Sequence, residues 1–439
     1  MPQNDNAGKF GGSYGSDPIL DPPKDIPERN RDYRRLGHQD LWIDSLCIIQ
    51  DNEEDWAREA ASMAKVYSQA YCTLAALSSS DSNQGLNLIP PDFLVDMVVH
   101  DTDNEKYRLR FQHEKLDWRS VYNGSLDDSP LRYRAWAFQE KELSSRIVHF
   151  GKTQLVLECS AEKGSISDGE RGSTSWKWTT RSPIQSSSSS TVDLYDFWSP
   201  LVMDYAERNI TKVSEKLLAF SGIAQTYQRL VPSAKYVAGM WSTHLPEGLL
   251  WQVWINPEEV SRRTSEYIAP SWSWASVMAP IKFRPCDTRR KLRVQEMWGL
   301  PKHNDAYGAL VDASLILSDI ELVKLNLEIR SPEGDLGVGI LTRYGVIAGV
   351  VFLDVKDGLP PTTEDLIFMA LEEKPESRHH VGTMKGRPIY AEGGLCLLGL
   401  VLRKVHQDDM PTYRRIHGLG RYVPESLTEG LDACTINLL

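Results

Sequence analysis

The chain has 439 residues, 41% hydrophobic and 25% charged, which is ordinary usage for a folded protein and excludes a wholly disordered or fibrous chain. At roughly 150 residues per domain, the length predicts two or three domains. Forty-nine basic against 60 acidic residues give a net charge of −11, which argues against a protein that wraps nucleic acid, and no apolar run of about 18 residues predicts a membrane span.

Residues 1–30 are rich in Gly, Pro, Asp and Asn without a period of 2 or 3.6, and read as a disordered arm. They have neither a basic stretch nor an apolar one of leader type, so the expected location is cytoplasmic. The run LWIDSLCII from Leu41 is short, apolar and β-branched, which predicts a buried strand running into a loop. Trp56, Ala60, Met63, Val66, Tyr67 and Ala70 then recur at steps of three and four, the pattern of an amphipathic helix. Asp51 or Asn52 is its expected cap, and Glu53, Glu54 and Asp55 suit the positive end of its dipole. YCTLAAL at 71–77 reads as a second strand, so the three segments predict a parallel βαβ unit.

A helix is predicted from Leu131 over LRYRAWAFQEKELSSR, which has no Gly or Pro. RIVHF and TQLVLEC flank Gly151 and Lys152, a spacing that predicts a hairpin with a two-residue type II′ turn. The serine-rich stretch at 164–194 reads as a solvated linker or insertion. Helices follow over Tyr195 to Leu230, with Ser214 a candidate cap and Leu217, Phe220, Ile223, Ala224 and Tyr227 on one face. Trp241, Trp251, Trp254, Trp272 and Trp274 crowd the next stretch and suit packing better than sugar binding. From about Ala309, runs such as SLILSDIELV and GGLCLLGLVL predict a mostly antiparallel sheet.

Two long blocks, LWIDSLCIIQDNEEDWAREAASMAKVYSQAYCTLAAL at 41–77 and RAWAFQEKELSSRIVHFG at 134–151, resemble the fungal heterokaryon-incompatibility (HET) domain family. KLLAFSGIA, GLLWQVW, PSWSWAS and YRRIHGLG resemble the region that often follows that domain. The resemblance implies a role in non-self recognition and cell-death signalling, exercised as an oligomerising interaction module. It implies protein partners, either a second copy or another incompatibility protein. It also implies a TIR-like, flavodoxin-like α/β fold at 31–163 with a parallel sheet, followed by an α+β region at 195–439. Family members open with a strand and turn similar to ALSYxWG. Leu36, Gly37 and His38 match the LGH-like turn that follows, but that opening block is not found here, so the first strand is expected to be missing. A truncated, inactive paralogue is therefore a further reading.

Trp136 and Glu140 form a WxxxE spacing similar to that of TIR domains that cleave NAD, which puts indole and carboxylate on one helical face. An oxocarbenium-like transition state would be stabilised by such a carboxylate, so Glu140 is the candidate catalytic residue of an alternative NAD glycohydrolase activity. NAD would be its substrate, and no cofactor is required. The bland alternative pairs Glu140 with Arg134 or Arg146 and leaves Trp136 in the core. Asp44, Gln50 and Asp51, near a predicted strand end, join Trp136 as candidate ligand-binding residues. Six scattered cysteines without CxxC spacing read as reduced thiols, with no metal site expected, and Cys47 with His149 carries no signature of a thiol enzyme.

Overall fold

The computed structural model describes residues 40–80, 86, 94–100, 106–112, 129–151, 155–159, 163–165, 171–172, 195–254, 266–284, 292–303, 305–328, 338–344, 346–352, 362–376, 379–384, 387–391, 394–406, 410–428 and 430–439. The arm read at 1–30 and most of the serine-rich stretch, 173–194, lie outside them.

Among the described residues, the first element is one helical turn, α1 (Asp44–Cys47), followed by α2 (Glu53–Gln69) and the short strand β1 (Thr73–Ala75). The strand expected at 41–49 is not formed. Ile43 O accepts the amides of Leu46 and Cys47, and the Gln50 side-chain amide donates to the carbonyls of Asp44 (3.2 Å) and Ile48 (3.0 Å). These bonds close the chain on itself, so local turn chemistry overrides the β propensity of the run. Of the two candidate caps, Asn52 is the one used: its side chain accepts from Asp55 N at 2.9 Å.

β2 (Leu94–His100) and β3 (Lys106–Gln112) form a hairpin; α3 (Ala135–Leu143), preceded by a 3₁₀ turn at Pro130–Tyr133, leads into β4 (Arg146–Phe150) and β5 (Leu155–Cys159). The parallel pair is therefore β1 with β4, with Thr73 opposite Ile147, and α3 rather than α2 is the helix that enters its second strand. Antiparallel β5, β6 (Lys163–Ser165) and β7 (Arg171–Gly172) extend this sheet in the order β1-β4-β5-β6-β7, so it is mixed rather than parallel. The start of the expected linker thus belongs to a sheet. Phe150 pairs with Leu155, which leaves four residues, 151–154, between β4 and β5 instead of two; 152–154 lie outside the described residues.

α4 (Tyr195–Ala206) and α5 (Leu218–Tyr227) come next. Ser214 sits inside a 3₁₀ turn, Val213–Glu215, and does not cap α5. The face Leu217, Phe220, Ile223, Ala224 and Tyr227 is buried as expected, and so are Leu218, Ala219, Ser221 and Gly222, because helices pack on more than one side of α5. A Cβ at Gly222 would lie 2.7 Å from Ala64 Cβ on α2 and from Gln139 Oε1 on α3, so the three helices approach as closely as only glycine permits.

The short strands β8 (Tyr236–Val237), β9 (Met240–Trp241), β10 (Trp251–Val253) and β11 (Ile281–Phe283) frame the tryptophan-rich stretch. Trp241, Trp251, Trp272 and Trp274 are buried, as expected of packing residues, while Trp254 is 54% exposed with Lys282 Nζ 3.5 Å from its ring centre. The indoles of Trp198 and Trp274 both donate to Gly239 O, whose residue has φ +83° and no room for a Cβ beside Trp274.

The C-terminal strands are β12 (Arg293–Pro301), β13 (Leu310–Ile320), β14 (Leu322–Glu328), β15 (Val338–Arg343), β16 (Val346–Phe352), β17 (Thr362–Glu376), β18 (His379–Met384), β19 (Arg387–Ala391), β20 (Gly394–His406), β21 (Thr412–Pro424) and β22 (Cys434–Leu438). Nine of them form one sheet, β12-β13-β22-β21-β16-β15-β14-β17-β20, antiparallel except for β21 with β22. Since β20 also pairs with β21, six strands close into a barrel, which removes edges that would otherwise stay unpaired. Strand alternation then sorts the side chains. Leu366, Phe368 and Ala370 of β17 face the barrel interior, while Ile367, Met369 and Leu371 face a second, larger core shared with the helices.

Candidate functional site

That larger core determines where the candidate site sits. Phe138 of α3 is fully buried, stacked on Phe220 of α5 at 6.1 Å and tilted against Tyr205 of α4 at 5.8 Å. Just before α3, Ala135 N donates to Asn209 O (3.0 Å) and Asn209 N to Tyr133 O (2.6 Å). One face of α3 is thereby fixed to the C-terminal region, and its other face is turned toward α2 and α1.

On that other face four polar side chains from three elements meet. Tyr67, in the last turn of α2, donates a hydrogen bond to the Glu140 carboxylate in the middle of α3. Asp44 of α1 and Arg134, at the start of α3, lie close enough to act on Glu140 electrostatically. Trp42 packs edge-on against the Tyr67 ring at 5.6 Å, so the turn before α1 closes one side. Glu140 and Tyr67 are partly buried, whereas Asp44 and Arg134 are exposed, so the group lies at the surface. Burial foremost, and then the nearby Asp44 charge, push the Glu140 carboxyl up to about 7, against the opposing pull of Arg134 and the Tyr67 bond. Burial, followed by Glu140 and Asp44, raises the Tyr67 hydroxyl. Near neutral pH this site therefore holds a carboxyl poised between its two protonation states, beside a phenol that keeps its proton.

Asp44 and Glu140 are thus brought together. Trp136 is not part of the group in the way expected: its indole N–H donates to Glu215 Oε2 at 2.9 Å, and its ring meets Trp56 edge-on at 6.0 Å. Lys212, paired with Glu215 at 3.4 Å, lies over the Trp56 ring. Trp136 is an anchor between the N-terminal helices and the segment before α5. Gln50 spends its amide on the backbone of the α1 turn, and Asp51 is exposed in the loop that follows it. Arg146 donates to Tyr71 O at 2.8 Å and stacks over the Tyr71 ring, which leaves Arg134 as the cation facing Glu140. His149 is buried, with Nε2 3.0 Å from Glu158 Oε2, and Cys47 lies in α1. Tyr67 and Trp42 were not singled out as site residues from the sequence. A signal existed for the first: a hydroxyl-bearing ring one turn beyond Met63 on an otherwise apolar helical stripe.

A second set of charges lies behind α3, where the sheet meets α4. Burial raises the Glu142 carboxyl, only partly offset by Lys141 at 3.5 Å, and Asp204, Arg208 and Glu158 act on the same pair. Arg208 stacks over the Phe138 ring at 4.5 Å and bonds Asp204 at 3.2 Å. Glu142, Glu158 and Arg208 are buried, whereas Lys141 and Asp204 are partly exposed.

A family model described as heterokaryon incompatibility protein (HET) matches residues 18–140, which takes in α1, α2, β1 and α3 up to Glu140 itself. These residues are similar to the HET family. No curated protein and no solved structure matches the chain. Among the described residues, no helix is long and apolar enough to cross a membrane, and no group of three His, Cys, Asp or Glu side chains is arranged to hold a metal ion.

Proposed function

We propose that this chain acts in fungal non-self recognition as an oligomerising interaction module in the cytoplasm, its HET part engaging a second copy or another incompatibility protein and so triggering cell death. The observation that carries the reading is the surface of α1. Leu46 is 55% and Ile49 49% exposed, on the same short turn that brings Asp44 to Glu140. Apolar side chains held outward beside a polar cluster favour a protein contact over a solvent-facing loop. Inducible expression of the full chain in a filamentous fungus tests it. Growth arrest by the wild type that is lost in Leu46→Asp/Ile49→Asp supports the reading, and arrest undiminished in that variant contradicts it. A wild type without effect favours the inactive paralogue.

The second reading is a TIR-like NAD glycohydrolase. It is supported by the Glu140 carboxyl sitting next to Tyr67 and Asp44 at a surface site. There Glu140 in its ionised form would stabilise positive charge developing on the ribose as the nicotinamide bond breaks, and Tyr67 would hold its orientation. Incubation of the purified chain with NAD, following nicotinamide release, separates the readings: release that falls at least 100-fold in Glu140→Gln, in line with loss of a charge-stabilising group, supports the enzyme, and release equal in both proteins rejects it.

A further inference from the structure

The large sheet closes at one end and stays open at the other. β12 pairs with β13 along one side, and among the described residues no strand pairs with its outer edge. Its side chains alternate. Met297 is 3% exposed and belongs to the large core, whereas Glu296, Trp298 and Leu300 face solvent, with Trp298 at 39% and Leu300 at 46%. Irregularities between Val294 and Glu296 and between Leu300 and Pro301 bracket a stretch, Glu296–Leu300, in regular register with Ser314 opposite Trp298. The second bulge leaves Val311 without a partner in the register and 55% exposed beside Leu300. Native edges are normally blunted by Lys or Pro within the strand. The bracketed stretch contains neither and instead presents an indole and an isobutyl group.

We propose that β12 is an interface between two copies of this chain, paired antiparallel about a two-fold axis at Trp298. The argument for a second copy is the self-complementarity of the edge. A two-fold axis normal to the sheet keeps every side chain on its own face, so the register must be centred on a residue. Centring on Glu296 opposes two carboxylates, and centring on Met297 sets each Glu296 against an indole. Centring on Trp298 pairs the two indoles, lays each Leu300 against the stem of the partner's Glu296, and brings each exposed Lys302 within diagonal reach of that carboxylate. A single strand pair lies at the small end of interface sizes, below about 1,200 Å², so this dimer forms in a concentration-dependent way. The inference rests on the self-association part of the proposed function, and not on α1 being the surface that makes it.

Light scattering on the full chain over a wide concentration range tests it. The mass is expected to rise from 49.7 kDa toward twice that value in the wild type. Trp298→Glu and Leu300→Glu, which set carboxylates against each other or against the partner's Glu296, should hold it at the monomer value while their melting curves match the wild type. Trp298→Cys adds a test of register: opposite Cα atoms in an antiparallel pair are about 4.5–5.5 Å apart, within disulfide reach, so mild oxidation should give a covalent dimer beyond the wild-type background. Glu296→Cys should not give one. A wild type that stays at 49.7 kDa overturns both the inference and the self-association it rests on. A rise that survives Trp298→Glu but is lost in Leu46→Asp/Ile49→Asp overturns the edge alone.

Discussion

The HET part and the C-terminal barrel solve the same problem in opposite ways. The barrel has an apolar interior of its own, with Val323, Leu325, Leu341, Phe368 and Val401 among its members. Among the described residues, the apolar cluster confined to the N-terminal sheet holds Ala76, Leu86 and Phe150, with Leu74, Val148 and Leu155 at its margin. Its helices instead place Ala135, Phe138 and Leu143 into the large core built by α4, α5, the tryptophans and the outer faces of β17 and β20. The barrel keeps an apolar interior separate from the large core, whereas the N-terminal helices are packed into that shared core. Because α3 carries Glu140 on one face and Phe138 on the other, the candidate site is positioned by residues that lie outside the 18–140 match.

Breaking that dependence gives the largest expected effect. Phe138→Ala removes a fully buried ring from the junction and should cost about 4 kcal/mol. Chemical denaturation of the full chain should show the loss, and hydrogen exchange should show α2 and α3 losing protection ahead of β17 and β20. Equal loss of protection in the barrel would contradict the asymmetry.

The next prediction sharpens the comparison through pH. Glu140 is raised to about 7 in the folded chain, above its ordinary 4.5, so the native state holds the extra proton between these values and stability falls as pH rises from 4.5 to 7. Glu140→Gln should flatten this slope and gain about 3 kcal/mol at pH 8 relative to pH 4.5. In the large core, Lys216 donates to Val277 O beneath the Trp274 ring, and burial lowers it to about 7 from 10.5. Its sign is opposite: the unfolded chain holds more protons between 7 and 10.5, so stability rises with pH there, and Lys216→Met should remove that rise. Urea midpoints measured from pH 4 to 10 for both variants check the two windows. The smallest effect belongs to Asn52→Ala, which removes the cap of α2 and should cost about 1 kcal/mol without moving the Glu140 titration.

Much of this architecture was legible in the sequence where periodicity and burial agree. α2, α5 and the antiparallel tail follow from apolar spacing that the tertiary structure merely completes, and α3 from a run without Gly or Pro, although the helix begins at Ala135 and not at Leu131. The run at 41–49 was misread because apolarity alone does not distinguish a strand from a turn. What closes it into a turn is Gln50, whose amide donates to two backbone carbonyls of the run. The site was half legible. A strand-end position points to Asp44 and helical spacing to Glu140, and the two lie near each other, but the spacing that points to Trp136 says nothing of its indole's partner, Glu215, 79 positions later in the chain. Contacts of that kind leave no local signature.

The central claim is that Asp44 and Glu140 share one site on a helix held from behind. Carbon-detected NMR titration of the Glu140 carboxyl, in the full chain with labelled glutamate and assigned by Glu140→Gln, measures it directly. The account predicts a midpoint near 7 that moves toward the ordinary carboxylate range in Asp44→Asn. A midpoint near 4.5, unmoved by that substitution, would contradict it.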